Sequence, residues 1–190
     1  MKLVLYTYQH PDAVTKLRCE GALRLKESDR HLTYMGQEDG YQENHFESPY
    51  RFMAYEMSKR LPSPLVPCAY PIWAWYKSNG RYRPSKKLDA LHHGKVRLRL
   101  EIDEERVLLS DFDRFAYLTC GGLYFELKPG DERYGDNIFL PDEHFYPNWE
   151  CVFDIHRKDD DDYGWSWRRE TIQATLWELF LEDVTETKAV

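Results

Sequence analysis

The chain has 190 residues and a net charge of −7, and 31% of its residues are charged, which is typical of a folded protein rather than a disordered one. A chain of this length can bury roughly 70% of the surface that its unfolded form exposes, so one domain with a sizeable core is expected. An acidic run at residues 159–162 supplies four of the negative charges, and the overall balance argues against bulk binding of nucleic acid, which needs a basic face.

Two strands and two helices are predicted in the first half of the chain. Residues 2–9 alternate β-forming side chains as a strand does, and residues 10–21 have helical spacing that ends at a glycine. The clearest helix covers residues 48–61, where a serine and a proline suit the first turn. Three prolines then forbid a helix and lead into an aromatic strand at residues 71–77.

The second half of the chain contains further strands and two long connections. Residues 95–113 are predicted to form a strand, a turn and a strand, with one buried face and one solvated face. A short helix is expected within residues 110–122. Residues 128–149 are predicted to form a long connection and residues 157–168 an exposed acidic loop. The last segment, 171–190, is predicted as a strand pair or one bent strand, because its leucines do not hold one period.

These elements predict one α+β domain over residues 1–190, with a mixed or split antiparallel sheet and a few helices. Four cysteines lie far apart in the sequence: Cys19, Cys68, Cys120 and Cys151. No C-x-x-C pair and no metal-binding histidine spacing occurs, so no metal site is predicted. Because the chain opens without a signal peptide and lacks an apolar stretch of ~18 residues, we expect a cytoplasmic protein that does not enter a membrane.

Short motifs along nearly the whole chain resemble one protein family. The sequence contains LYTYQ in its first strand, PIWAW in the aromatic strand, VLLSDFD near its middle and IQATLW near its end. In this order they resemble the bacterial and phage family called domain of unknown function 3841. The resemblance indicates kinship, and it implies no particular activity.

The layout of the strands is also similar to the ADP-ribosyltransferase-like fold. In that superfamily the first strand contacts a nicotinamide nucleotide, and a late strand carries an acid in a Q-x-E motif. The resemblance places Thr7 and Gln9 at the first position, while the late strand here reads Gln173-Ala174-Thr175 and lacks the acid. It implies NAD or an ADP-ribose-like molecule as the ligand. Any enzyme activity would be that of a transferase, but no catalytic residue is assigned and no cofactor is established.

The aromatic strand and the loop after it form the first candidate site. Trp73 and Trp75 share one face of the strand, because side chains alternate along it. Either both rings belong to the core, or one of them stacks on a planar ligand. In the second case Arg81 and Arg83 would hold a phosphate or carboxylate through paired N–H groups.

Three polar residues in otherwise apolar strands form the second candidate site. Thr7, Gln9 and Gln173 would each cost free energy when buried without a hydrogen bond. If the first and late strands pair, the two amides converge on one pocket; otherwise each faces solvent or fastens a loop. Asp111 and Asp113 are candidates for a carboxylate pair, although capping of the following helix explains them better.

Two functions from different classes follow from these residues. The first is a pocket for a nucleotide-like ligand between the first, aromatic and late strands. The alternative is a protein–protein interaction module or inhibitor, of a phage or toxin–antitoxin type, that uses exposed aromatic residues and the acidic loop. A cavity lined by Trp75 and Gln173 would favour the first, and a flat exposed aromatic patch would favour the second.

Overall fold

A computed structural model describes residues 1–33, 44–119, 150–155 and 170–190. The predicted connection at 128–149 and the predicted acidic loop at 157–168 lie outside the described residues. The strands and helices that frame the candidate sites lie inside them.

The described chain contains eight strands. In chain order they are β1 (Lys2–Gln9), β2 (Ala22–Arg24), β3 (Ile72–Lys77), β4 (Val96–Asp103), β5 (Leu108–Asp111), β6 (Ile172–Leu176), β7 (Glu178–Phe180) and β8 (Val184–Ala189). Six of them form one sheet in the order β5-β6-β3-β1-β4-β8, and every neighbouring pair is antiparallel. Strands β2 and β7 form a separate small antiparallel sheet. With the helices, this confirms the predicted α+β class and its antiparallel sheet.

Four α-helices accompany the sheet: α1 (Pro11–Glu20), α2 (Asn44–Arg60), α3 (Lys86–Leu91) and α4 (Phe112–Thr119). Gly21 ends α1 in the left-handed conformation, with φ 74°. Ser85 Oγ caps α3 by accepting from the Leu88 N–H at 3.1 Å. Asp111 Oδ1 likewise accepts from the Arg114 N–H at 3.0 Å, so Asp111 caps α4 as predicted.

Two boundaries differ from the sequence prediction. Helix α2 begins at Asn44, before the predicted start at residue 48. Residues 171–190 form three strands, because the chain leaves the large sheet after β6, pairs β7 with β2, and returns to the sheet edge as β8. A 3₁₀ turn at Leu181–Asp183 makes the second change of direction, and Asp183 Oδ2 accepts from the Phe180 N–H at 2.9 Å.

The large sheet has two different faces. The aliphatic face carries Leu5, Ala74 and Leu100, and the buried side of α1 packs against it. The opposite, aromatic face carries Tyr6, Trp75 and their neighbours. At its β5–β6 end this face is covered by apolar residues of α2 and α4, which form a second core cluster.

The two halves of the large sheet are narrowly joined at their centre. Strand β1 pairs with β4 along all eight of its residues, but it pairs with β3 only at Tyr6 and Trp75. Close by, the Thr7 hydroxyl donates a hydrogen bond to the Trp73 carbonyl oxygen at 2.6 Å. The central seam, defined as the Tyr6–Trp75 pair, therefore contains the predicted site residue Trp75, and the predicted residues Thr7 and Trp73 lie next to it.

Candidate functional site

A tight turn fixes the loop that follows the aromatic strand. Ser78 and Arg81 exchange two backbone hydrogen bonds, of 2.8 and 3.0 Å. Between them, Asn79 and Gly80 both have positive φ, as a two-residue type I′ turn requires and as an Asn-Gly sequence favours. The Gly80 N–H also donates to the Glu170 carbonyl at 2.8 Å, which fastens the turn to the chain before β6.

A shallow, open depression lies between this loop, α3 and the central seam. Four aromatic rings and two guanidinium groups are among the side chains that line it: Tyr6, Trp75, Tyr76, Arg81, Tyr82 and Arg83. The Tyr76 and Tyr82 rings meet edge to face, with centroids 5.3 Å apart. The structure thus brings together three residues that the sequence analysis selected, Trp75, Arg81 and Arg83.

The cations that line the depression or adjoin it differ in their partners. Lys77 forms an ion pair with Glu170 and lies over the Tyr82 ring, with Nζ 5.3 Å from its centroid. Arg81 and Arg83 are exposed, and neither has a carboxylate partner among the residues that the structure describes. Both side chains lie at the exposed rim of the depression.

Gln173 and Ser110 continue the row of side chains that begins at the seam. In register across the sheet, Tyr6 pairs with Trp75, Trp75 with Gln173, and Gln173 with Ser110, so all four lie on the aromatic face. Gln173 is 4% exposed and Ser110 is fully buried. Neither the Gln173 Nε2 nor the Ser110 Oγ has a hydrogen-bond partner within the described part of the chain.

Thr7 and Gln9 lie on the other face of the sheet. Gln9 Nε2 donates to Thr7 Oγ1 at 2.6 Å, and both residues are buried. Because Gln173 is in register with Trp75, and Trp75 with Tyr6, the Gln173 side chain lies on the same face of the sheet as Tyr6. Thr7 and Gln9 lie on the opposite face. The two amides do not converge, and the predicted pocket enclosed by both of them does not form.

Trp73 and Trp75 have different surroundings. Trp73 packs against Tyr50 and Phe115, with centroid distances of 5.2 and 4.9 Å, beneath α2 and α4. Trp75 is half-buried and lines the depression, and its ring centroid lies 4.8 Å from that of Phe112. Of the two alternatives left open for this strand, the core reading applies to Trp73, while Trp75 is accessible from the depression.

Sequence reasoning missed a charged network next to the depression. Asp89 of α3 accepts hydrogen bonds from the Tyr8 hydroxyl at 2.7 Å, from Arg97 at 2.8 Å and from Lys188 at 3.1 Å. Burial acts to raise the pKa of Asp89, but its donors outweigh burial and hold the pKa below its usual value. The solvated face predicted for β4 is therefore partly covered by α3. No local pattern indicated this contact, because it depends on the pairing of β1 with β4.

The aromatic rings of His92 and Tyr8 pack together next to the same charged network. Their rings stack with centroids 4.1 Å apart. Burial, followed by the nearby charge of Lys95, lowers the pKa of His92 from 6.5 to about 4. Burial and then the hydrogen bond to Asp89 raise the pKa of Tyr8. At neutral pH the site therefore contains an uncharged imidazole and an uncharged phenol.

Comparison with known proteins places the chain in a family. The model of the family described as Domain of unknown function (DUF3841) matches residues 4–185. The chain belongs to this family. The resemblance drawn from the DUF3841 motifs is confirmed, while the likeness to ADP-ribosyltransferases stays a prediction. No curated protein and no solved structure matches this DUF3841 chain.

The described residues contain neither a metal-binding cluster nor a membrane-spanning helix. Within residues 1–33, 44–119, 150–155 and 170–190, no three His, Cys, Asp or Glu side chains are grouped so that they could hold a metal ion. Among the helices of these residues, none combines the length and the apolar character that crossing a membrane requires.

Proposed function

We propose that this DUF3841 protein binds a nucleotide-like ligand in the depression at the central seam, in the cytoplasm of a bacterial or phage-infected cell. The observation that carries the proposal is that the Trp75 ring lines the same depression as the guanidinium groups of Arg81 and Arg83, which have no carboxylate partner among the described residues. An aromatic surface beside paired N–H donors suits a molecule that has a planar base and a phosphate.

Each part of such a ligand has a counterpart in the depression. A base stacked on Trp75 would gain about 1–3 kcal/mol. Arg81 and Arg83 present forked donors that match the geometry of phosphate oxygens. Because the depression is open and shallow, it would contact one face of the base and leave the rest of the nucleotide at the rim, unlike an enclosed small-molecule pocket.

Gln173 is buried and is not among the side chains that line the depression. It is the in-register neighbour of Trp75, and its amide N–H groups have no acceptor among the described residues. A buried donor without an acceptor costs about 1–3 kcal/mol.

We propose that the site binds NAD without cleaving it. The resemblance to ADP-ribosyltransferases requires an acid in the late strand, and β6 presents Gln173, Ala174 and Thr175 there. We therefore expect NAD and ADP-ribose to bind without turnover. The alternative of an interaction module stays a prediction, since its acidic loop lies outside the described residues.

A thermal-shift and calorimetry experiment with NAD, ADP-ribose and AMP tests this function. A ligand that binds the folded state raises the melting temperature by mass action. Arg83→Ala should lower the affinity at least tenfold, whereas Arg18→Ala, on the exposed side of α1, should leave it unchanged. If none of the three nucleotides shifts the melting temperature, the proposal is wrong.

A further inference from the structure

The segment around the depression is basic on a protein that is otherwise acidic. Residues 77–88 contain five Lys and Arg residues and no Asp or Glu, although the whole chain has a net charge of −7. Lys77 is paired with Glu170. Arg81, Arg83, Lys86 and Lys87 are exposed and have no ion-pair partner in the described part of the chain. These four residues are called the basic strip.

The basic strip extends beyond the depression. Arg81 and Arg83 line the depression, whereas Lys86 and Lys87 occupy the first turn of α3 just outside it. Arg83 and Lys86 are three positions apart in the chain, so their Cα atoms lie at most about 11 Å apart. Leu88, one residue further on, again lines the depression.

The position of the two lysines is fixed by the sheet. Asp89, which follows them in α3, is bound by Tyr8 of β1, Arg97 of β4 and Lys188 of β8. Ser85 caps the same helix. The two lysines therefore lie on a helix that is hydrogen-bonded to three strands through Asp89. These bonds fix the position of the lysines relative to the aromatic rings.

We infer that the depression and the basic strip together bind single-stranded nucleic acid. One base stacks on Trp75, the adjoining phosphate meets Arg81 and Arg83, and the next phosphate meets Lys86 and Lys87. Stacking platforms beside a cationic track are how proteins hold single strands without reading their sequence. This inference rests on the proposed function, which it deepens by naming the class of nucleotide ligand.

Two features favour a strand over a free nucleotide. The depression is open and too small to enclose a whole nucleotide, as a site for a free one would do. A mononucleotide would also leave the two lysines without an anion. The acidic remainder of the protein repels a polyanion, so the strand is confined to the basic strip, unlike in bulk binding by a basic protein.

Fluorescence anisotropy with a labelled twelve-nucleotide dT strand tests the inference, with AMP as the mononucleotide. We expect the strand to bind at least tenfold more tightly than AMP. Lys86→Ala/Lys87→Ala should weaken strand binding at least tenfold and change the affinity for AMP less than twofold. It should also reduce the slope of log affinity against log salt by about 0.7, because one phosphate contact is lost.

Two further variants serve as comparisons. Lys2→Ala/Arg18→Ala removes the same charge from exposed positions in β1 and α1, and it should change strand affinity less than twofold. Trp75→Leu should weaken both the strand and AMP at least fivefold. Circular dichroism melting of each variant establishes that it is folded.

The outcomes separate the two proposals. If AMP binds, the strand binds no more tightly and the double lysine variant has no effect, the nucleotide site stands and this inference is overturned. If neither AMP nor the strand binds, both proposals fall. If heparin or vesicles of anionic lipid compete equally well and Trp75→Leu has no effect, the strip attracts polyanions by charge alone, and this inference is again overturned.

Discussion

At the scale of single residues, two buried glutamines have opposite situations. Gln9 is paired with Thr7, whereas the Gln173 amide has no partner among the described residues. Gln173→Leu should therefore raise the free energy of unfolding by about 1 kcal/mol, because it removes an unpaired donor at similar volume. Gln9→Leu, the matched control, should lower it by about 1 kcal/mol. Urea denaturation measures both, and a loss of stability in Gln173→Leu would contradict the assignment.

The imidazole of His92 gives the protein a defined dependence on pH. Its folded pKa of about 4 lies below the ordinary 6.5, so between these values the unfolded chain binds more protons than the folded one. Stability is then complete above about pH 6.5 and falls as the pH drops towards 4. Solvent screening of this half-buried ring limits the loss to about 2 kcal/mol.

Thermal melting between pH 7 and pH 4 measures this dependence. His92→Gln should flatten the fall over that range, since the titrating ring is gone. His93→Gln, at the exposed neighbouring position, should keep the fall of the unsubstituted protein. Equal curves for the His92 variant and the unsubstituted protein would show that another group titrates.

At the scale of elements, Asp89 determines how α3 is held on the sheet. Asp89→Asn should destabilise the protein by about 2–3 kcal/mol, because Arg97 keeps a largely buried charge without its bidentate partner. Glu186 also contacts Arg97, at 3.4 Å, but it is exposed, and Glu186→Gln should cost less than about 0.5 kcal/mol. Chemical denaturation of the two variants compares them directly, and equal losses would refute this role.

The same scale shows what the sequence could predict. Local patterns placed β1, β3, β4 and the capped start of α4, because alternation and caps are written in neighbouring residues. They could not place Gln173 relative to Gln9, since the facing of a side chain in a sheet depends on register between strands far apart in the chain. They likewise missed the bond from Tyr8 to Asp89, which joins residues from β1 and α3.

At the scale of the whole molecule, the central seam depends on the Thr7 hydroxyl. Thr7→Val should destabilise the protein by about 2 kcal/mol, because it leaves the Trp73 carbonyl and the Gln9 amide unpaired. Hydrogen exchange should accelerate in β3 more than in the β1–β4 pairing. Thr187→Val, at an exposed position of β8, should change neither quantity. Uniform acceleration across the sheet would argue against a localised seam.

The narrow join between β1 and β3 also has a mechanical consequence. On each side of this join, three strands pair with one another through several residues. The two groups of three strands, called triplets here, share one in-register pair, Tyr6 with Trp75. A force that separates the two triplets would therefore be resisted by the buried aliphatic core cluster, which spans this line, more than by backbone pairs across it. A ligand bound over Tyr6 and Trp75 would contact one strand of each triplet, and it would add to the interactions that hold the triplets together.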